Sequence, residues 1–140
     1  LWGGSMDDIV FTVRHGIRNT ADEEARYSEM PAYGEFMTNE EIETLADFVL
    51  ALPTGVEGHA GAELFAENCA SCHGDAGLGD REVGAPNLAD AIWLYGGDRE
   101  DVSETIEYAR FGVMPPWNKR LSEADIRAVS VYVHALGGGE

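Results

Sequence analysis

The sequence predicts an all-α fold, and three observations carry that prediction. Apolar residues recur at helical spacing in four separate stretches, no stretch alternates as a strand would, and one Cys-x-x-Cys-His run marks the attachment point of a large rigid group. The periodic stretches contain Ile9 and Val13, Leu64 and Phe65, Val102 and Ile106, and Ile126, Val129 and Val133. With 140 residues there is room for one domain and part of a second.

Taken in order, the elements form a repeat. Trp2-Gly3-Gly4 matches Tyr95-Gly96-Gly97 at a separation of 93, and the helical stretch through Ile17 follows in register, Ile9 on Val102 and Thr12 on Thr105. After an insertion over about 19–27 the separation becomes 84. Met30-Pro31 then falls on Met114-Pro115, Tyr33 on Trp117, Ile42 on Ile126, Leu45 on Val129, Phe48 on Tyr132 and Leu52 on Leu136. Both copies open their last helix with a capping box, Thr38-x-x-Glu41 and Ser122-x-x-Asp125. Residues 1–54 therefore read as the C-terminal half of one domain, whose front half and attachment motif the sequence lacks. Residues 55–58, within the turn-forming run Pro53–Gly58, read as a linker, and 59–140 as a complete domain. The inner face of helix 40–52 (Ile42, Leu45, Phe48, Val49) needs cover, from the second domain or from another copy in a homodimer. The Gly-rich end after Leu136 is expected to fray.

The chemistry sits at Cys69-Ala70-Ser71-Cys72-His73, the spacing that attaches a c-type heme. Each thiol adds across one vinyl group of the heme to give a thioether, and His73 is then held close enough to ligate the iron. A structural zinc site would need about four Cys or His ligands, and the chain has two cysteines. A thioredoxin-like pair expects a preceding strand and makes no use of the histidine. A second axial ligand is expected, and Met with His is the pairing of electron-carrying cytochromes. Met114 in Gly112-Val113-Met114-Pro115-Pro116-Trp117 is placed for it, since core packing, the commoner use of methionine, does not suit a Pro-rich loop without helical periodicity. The Pro86 carbonyl, thirteen residues after His73, is the expected acceptor that orients the imidazole. Gly74–Gly84 reads as the loop beneath the heme.

Residues 56–140 resemble a class I cytochrome c domain, with Gly61, Phe65 and Cys69 at intervals of four on its N-terminal helix. More specifically, Gly84-Ala85-Pro86-Asn87-Leu88, Trp93-Leu94-Tyr95-Gly96-Gly97, Gly112-Val113-Met114-Pro115 and Val131-Tyr132-Val133-His134-Ala135-Leu136 resemble the second heme domain of the diheme cytochrome c subunit of proteobacterial cbb3-type oxidases. The resemblance implies that the N-terminal helix crosses helix 123–136 at Val129 and Tyr132, and that Arg110 pairs with a heme propionate. Leu88, Tyr95 and Trp117 join the cofactor-binding set, and Trp93 and Tyr95 border the heme edge. It implies one covalent heme c, no catalysis by the chain itself, and relay of electrons from a donor cytochrome c towards the heme–copper subunit. The setting would be the periplasmic side of the bacterial inner membrane. The parent would be membrane-anchored and this stretch soluble, since the longest apolar run, Leu45–Leu52 interrupted by Asp47, is too short to span a bilayer. Met30 would be an axial ligand whose heme has no attachment site here. Two other readings keep the heme: an electron-transfer domain of a periplasmic dehydrogenase, and a gas sensor in which Met114 detaches.

The net charge of −17 excludes nucleic acid as a partner. Much of it solvates the surface. The clusters Asp7-Asp8, Asp22-Glu23-Glu24, Glu40-Glu41-Glu43 and Asp98–Asp101 would also steer a basic electron donor.

Overall fold

A computed structural model describes residues 2–137, so the last glycines of the expected frayed end lie outside the described residues. It is all-α, as predicted: α1 (Met6–His15), α2 (Asn39–Ala51), α3 (Ala62–Asn68), α4 (Ala70–His73), α5 (Arg99–Tyr108) and α6 (Glu123–Ala135), with short 3-10 turns at Tyr33–Glu35 and Leu52–Thr54. Among the described residues there are isolated bridges but no strand. The chain forms two compact units, Glu29–Arg110 and Trp2–Ser28 together with the chain from Phe111 onward.

The Glu29–Arg110 unit is built on α2. Its capping box forms as the sequence requires: Glu41 N–H donates to Thr38 Oγ1 at 3.3 Å, and Thr38 N–H donates to Glu41 Oε2 at 2.8 Å. Ile42, Leu45, Phe48 and Val49, spaced for one helical face, are all at most 4% exposed. They form a core with Phe65 of α3 and Val102 and Ile106 of α5. Each fully buried side chain of this kind contributes roughly 1.5–3 kcal/mol. Gly61 lets α3 approach: a Cβ there would lie 2.7 Å from Phe48 Cβ and 2.8 Å from the Thr44 carbonyl. The Phe48 and Phe65 rings then meet at 4.8 Å between centroids. The cover expected for helix 40–52 is thus supplied by α3 and α5 of the same chain.

The other unit pairs α1 with α6. Ser5 caps α1, accepting from Asp8 N–H at 3.2 Å, and Asp7 and Asp8 sit in the first turn with Arg14 and His15 in the last, as the helix dipole favours. In α6, Ser122 and Asp125 form the second capping box, and Ile126 and Ser130 are fully buried. Ser130 Oγ donates to Ile126 O at 2.8 Å, which satisfies its hydroxyl. Ile17 pairs with Met114 through backbone bonds of 3.0 and 2.9 Å. The insertion after α1 is tied down by Asp22, which faces His15 Nδ1 at 3.2 Å and accepts from Asn118 Nδ2 at 2.5 Å.

This division differs from the boundaries expected at 1–54, 55–58 and 59–140. Residues 55–58 join α2 to α3 inside one unit instead of separating two domains. Within the Glu29–Arg110 unit it is α2 that packs on α3, the place the resemblance gave to helix 123–136, whose Val129 and Tyr132 are 36% and 65% exposed. The reason is competition for one surface. The chain holds two copies of the last helix but a single Gly61–Phe65 face. The connection from Leu52 to Gly61 is far shorter than the one leading to Glu123. Each doubling of a connection costs about 0.6 kcal/mol of closure entropy. Leu45 and Phe48 also bring more apolar surface than Val129 and Tyr132.

Candidate heme-binding site

Helix α3 ends at Cys69, where the backbone departs from ideal geometry (φ −114°), and α4 resumes through His73. Backbone bonds from Cys72 N–H and His73 N–H to the Cys69 carbonyl, at 3.2 and 2.9 Å, hold the attachment residues on one turn. Both cysteines are free thiols, Cys69 half-buried and Cys72 exposed. Burial, reinforced by the neighbouring Cys72, pushes the Cys69 thiol up to about 11.

His73 is buried at 8% exposure. Its Nδ1 lies 3.0 Å from the Pro86 carbonyl, and a carbonyl only accepts, so the ring carries its proton on Nδ1 and leaves the Nε2 lone pair for a metal. Desolvation holds the imidazole below its ordinary value, which keeps it neutral and ligand-competent, with the Pro86 bond opposing. The loop Gly74–Gly84 makes this geometry. Gly79 N–H returns to the His73 carbonyl at 2.8 Å, and Leu88 N–H to Gly77 O at 2.7 Å. Gly79, at φ +80°, passes so close to the Pro86 segment that a Cβ would lie 2.6 Å from Ala85 O.

Cys69, Leu88, Trp93 and Met30 all pack against the core of the Glu29–Arg110 unit. Two vinyl-reactive thiols, a neutral imidazole with a fixed tautomer and an apolar wall with a thioether suit a covalent heme. Tyr33 was not singled out from the sequence as a cofactor-side residue, although it occupies the repeat position of Trp117. Its hydroxyl donates to the Asn68 carbonyl at 2.5 Å, beside the attachment turn. Burial, with Cys69 and Cys72 nearby, pushes its phenol up to about 12.

The other sequence-derived residues are placed differently. Arg110 is engaged by the protein: Nη1 to Glu104 at 2.6 Å, Nε to Thr105 Oγ1 at 2.9 Å, and Nη2 to the Asp101 and Tyr95 carbonyls at 2.5 and 3.1 Å. Its guanidinium also lies 5.4 Å from the centre of the Tyr95 ring, and Tyr95 is 40% exposed. Met114 and Trp117 belong to the other unit, where Trp117 N–H donates to Val13 and Arg14 carbonyls and Arg120 covers its ring.

Residues 56–133 match the family model described as cytochrome C oxidase, cbb3-type, subunit III. The chain is 59% identical to the cbb3-type cytochrome c oxidase subunit CcoP of Cereibacter sphaeroides, covering all of this chain and 50% of that protein. It is 46% identical to the subunit FixP of Azorhizobium caulinodans, over all of this chain and 49% of the relative. It is likewise 46% identical to the CcoP of Rhodobacter capsulatus, over all of this chain and 52% of the relative. The chain spans about half the length of these curated relatives. With the attachment turn, the Pro86-bound histidine and the helical frame alongside a family match from 56 to 133, the chain belongs to the family of subunit III of cbb3-type cytochrome c oxidases.

Proposed function

We propose that this chain carries one covalent heme c and relays single electrons towards the catalytic subunit of a cbb3-type oxidase. The observation that carries the reading is the His73–Pro86 bond of 3.0 Å, set directly after two free thiols on the same turn. A heme bound there supplies a one-electron ferric–ferrous couple. Cys69 and Cys72 would hold a heme there through thioethers, and the neutral His73 would offer Nε2 to the iron, with Pro86 keeping the imidazole ring from rotating. Leu88 and Trp93, packed on the same core, would line the apolar side of a heme held there, and a methionine thioether would supply its second protein ligand. The sequence offers Met114 for that role, inside the matched span 56–133. With two protein ligands on the iron, such a heme would favour transfer of charge over substrate chemistry.

The relatives are named as subunits of cbb3-type oxidases, which supports oxidase subunits as partners and the periplasmic face of the inner membrane as the location. Among the described residues no helix is long and apolar enough to cross a membrane. The net charge of −17 supports a basic donor cytochrome. The experiment is the number of hemes retained per chain after full denaturation. One is expected, falling to none when Cys69 and Cys72 are both replaced by Ser. No retained heme in the parent chain overturns the reading. Reduction by a basic cytochrome should slow as salt is raised, and a salt-independent rate removes the steering proposal.

A further inference from the structure

The insertion over about 19–27 has no part in the heme reading, yet it brings two carboxylates against a buried histidine. We propose that His15, Asp22 and Glu24 bind one divalent cation, with zinc the fitting ion, which fastens the insertion to the end of α1. All three lie in the unit of Trp2–Ser28 and the chain from Phe111 onward, and the proposal stands or falls separately from the heme.

His15 is the last residue of α1 and is 7% exposed, with the Phe11 ring against it at 4.6 Å between centroids. Its Nδ1 lies 3.2 Å from Asp22 Oδ1 and 3.6 Å from Glu24 Oε2, and the three atoms all fall within 4.8 Å of one another. Nδ1 has one position to offer, as a donor or as a lone pair. A hydrogen bond to Asp22 uses it, and Glu24 is then too far for a second. That bond gives no reason for a second carboxylate to converge on the same nitrogen, whereas a cation among the three does. Zinc bonds of about 2.0–2.1 Å at tetrahedral angles set neighbouring ligand atoms roughly 3.3–3.4 Å apart. The two His15 separations straddle that edge. Charge agrees, since a neutral imidazole and two carboxylates balance a divalent ion. The imidazole nitrogen selects zinc over magnesium or calcium, which take oxygen ligands. With Nδ1 on the cation, the ring's one proton sits on Nε2.

Asn118 is the second observation. Its Nδ2 donates to Asp22 Oδ2 at 2.5 Å, which holds the carboxylate with Oδ1 at His15. Oδ1 of the same amide is buried and has no hydrogen-bond partner among the described residues. A buried acceptor without a donor is costly, and a cation with its bound water supplies what this one lacks. The loop is shaped without the ion. Asn19 Oδ1 accepts from the Ala21 and Asp22 N–H groups at 3.1 Å each, and Asn19 Nδ2 donates to the His15 carbonyl at 2.9 Å. The Asp22 side chain is 10% exposed and that of Glu24 71%, so the cluster opens to solvent on the Glu24 side, where an ion can enter.

The test titrates zinc chloride calorimetrically into the full chain with both thiols carrying heme or alkylated, so that neither competes. One zinc per chain is expected, with a rise in Tm that saturates as the site fills. Glu24→Gln and Asp22→Asn should each weaken binding about tenfold or more and remove the rise in Tm. Glu24→Gln changes an exposed side chain, and it decides the matter should Asp22→Asn fail to fold. Magnesium at the same concentration should leave Tm unchanged, because it dehydrates reluctantly and prefers six oxygens. Absence of zinc binding overturns the proposal. So does parent-like affinity in Glu24→Gln, which would place the ion elsewhere on the chain, and so does an equal response to magnesium.

Discussion

Helices α2 and α6 are copies of one element, separated by 84 residues and opened by equivalent capping boxes, yet their surroundings have diverged. Ile42 and Ile126 are equally buried, as are Ala46 and Ser130. The neighbouring stripe differs. Leu45, Phe48 and Val49 are sealed in the core, while Val129, Tyr132 and Val133, their repeat equivalents, are 36%, 65% and 41% exposed. One stripe faces α5 or its equivalent α1, and both copies have such a partner. The second stripe requires an attachment helix, and within its own unit α2 receives α3. The difference teaches that a helix's amphipathic pattern states how much apolar surface it must bury, not which partner buries it.

The largest expected effect tests that asymmetry directly. Phe48→Ala should cost about 3–5 kcal/mol in chemical denaturation, while Tyr132→Ala should stay within about 0.5 kcal/mol. Equal losses would mean that the α6 stripe is covered in solution, and would break the comparison. Next comes the crossing itself. Gly61→Ala places a methyl 2.7 Å from Phe48 Cβ and should cost about 1–3 kcal/mol. Combined with Phe48→Ala the two losses should be clearly less than additive, and strict additivity would place the α2–α3 contact elsewhere.

The caps should show the reverse pattern. Thr38→Ala and Ser122→Ala are each expected to cost about 1 kcal/mol, because a cap acts on its own first turn whatever the helix packs against. A marked inequality between them would show that the tertiary setting reaches the helix starts. The smallest effect concerns pH. The Glu24 backbone N–H, with Asn118 and His15 alongside, holds the Asp22 carboxyl below the usual carboxylate range. A folded value below the unfolded one stabilises the native state above the ordinary carboxylate pKa, and that contribution fades as pH falls through the lowered value. Asp22→Asn should therefore be less stable than the parent near neutrality and converge with it in acid. A constant difference across the whole range would assign the effect to something other than this ionisation.

Much of the site was legible because it is local. The attachment turn is a five-residue run, and the twelve residues between His73 and Pro86 form a loop that returns on its own glycines. Arg110 was harder. Its place before Phe111-Gly112-Val113-Met114 suggested a propionate partner, but four of its neighbours already accept from it, and those acceptors come together only when α5 and the Tyr95 segment fold side by side. The role of Tyr33 was hidden for the same reason: its partner Asn68 is on a helix that the family resemblance pairs with helix 123–136.

By itself the sequence determined the helices, their starts and their apolar faces, because caps, periodicity and turn residues act within a few positions along the chain. It determined the candidate heme-attachment turn too, since Cys69, Cys72 and His73 fall within one short run of the chain. Tertiary structure alone decided which copy of the last helix crosses α3, and therefore which methionine shares a unit with His73. Two near-equivalent faces compete there for one surface. The outcome turns on small differences in connection length and buried area, summed over contacts that no local pattern contains.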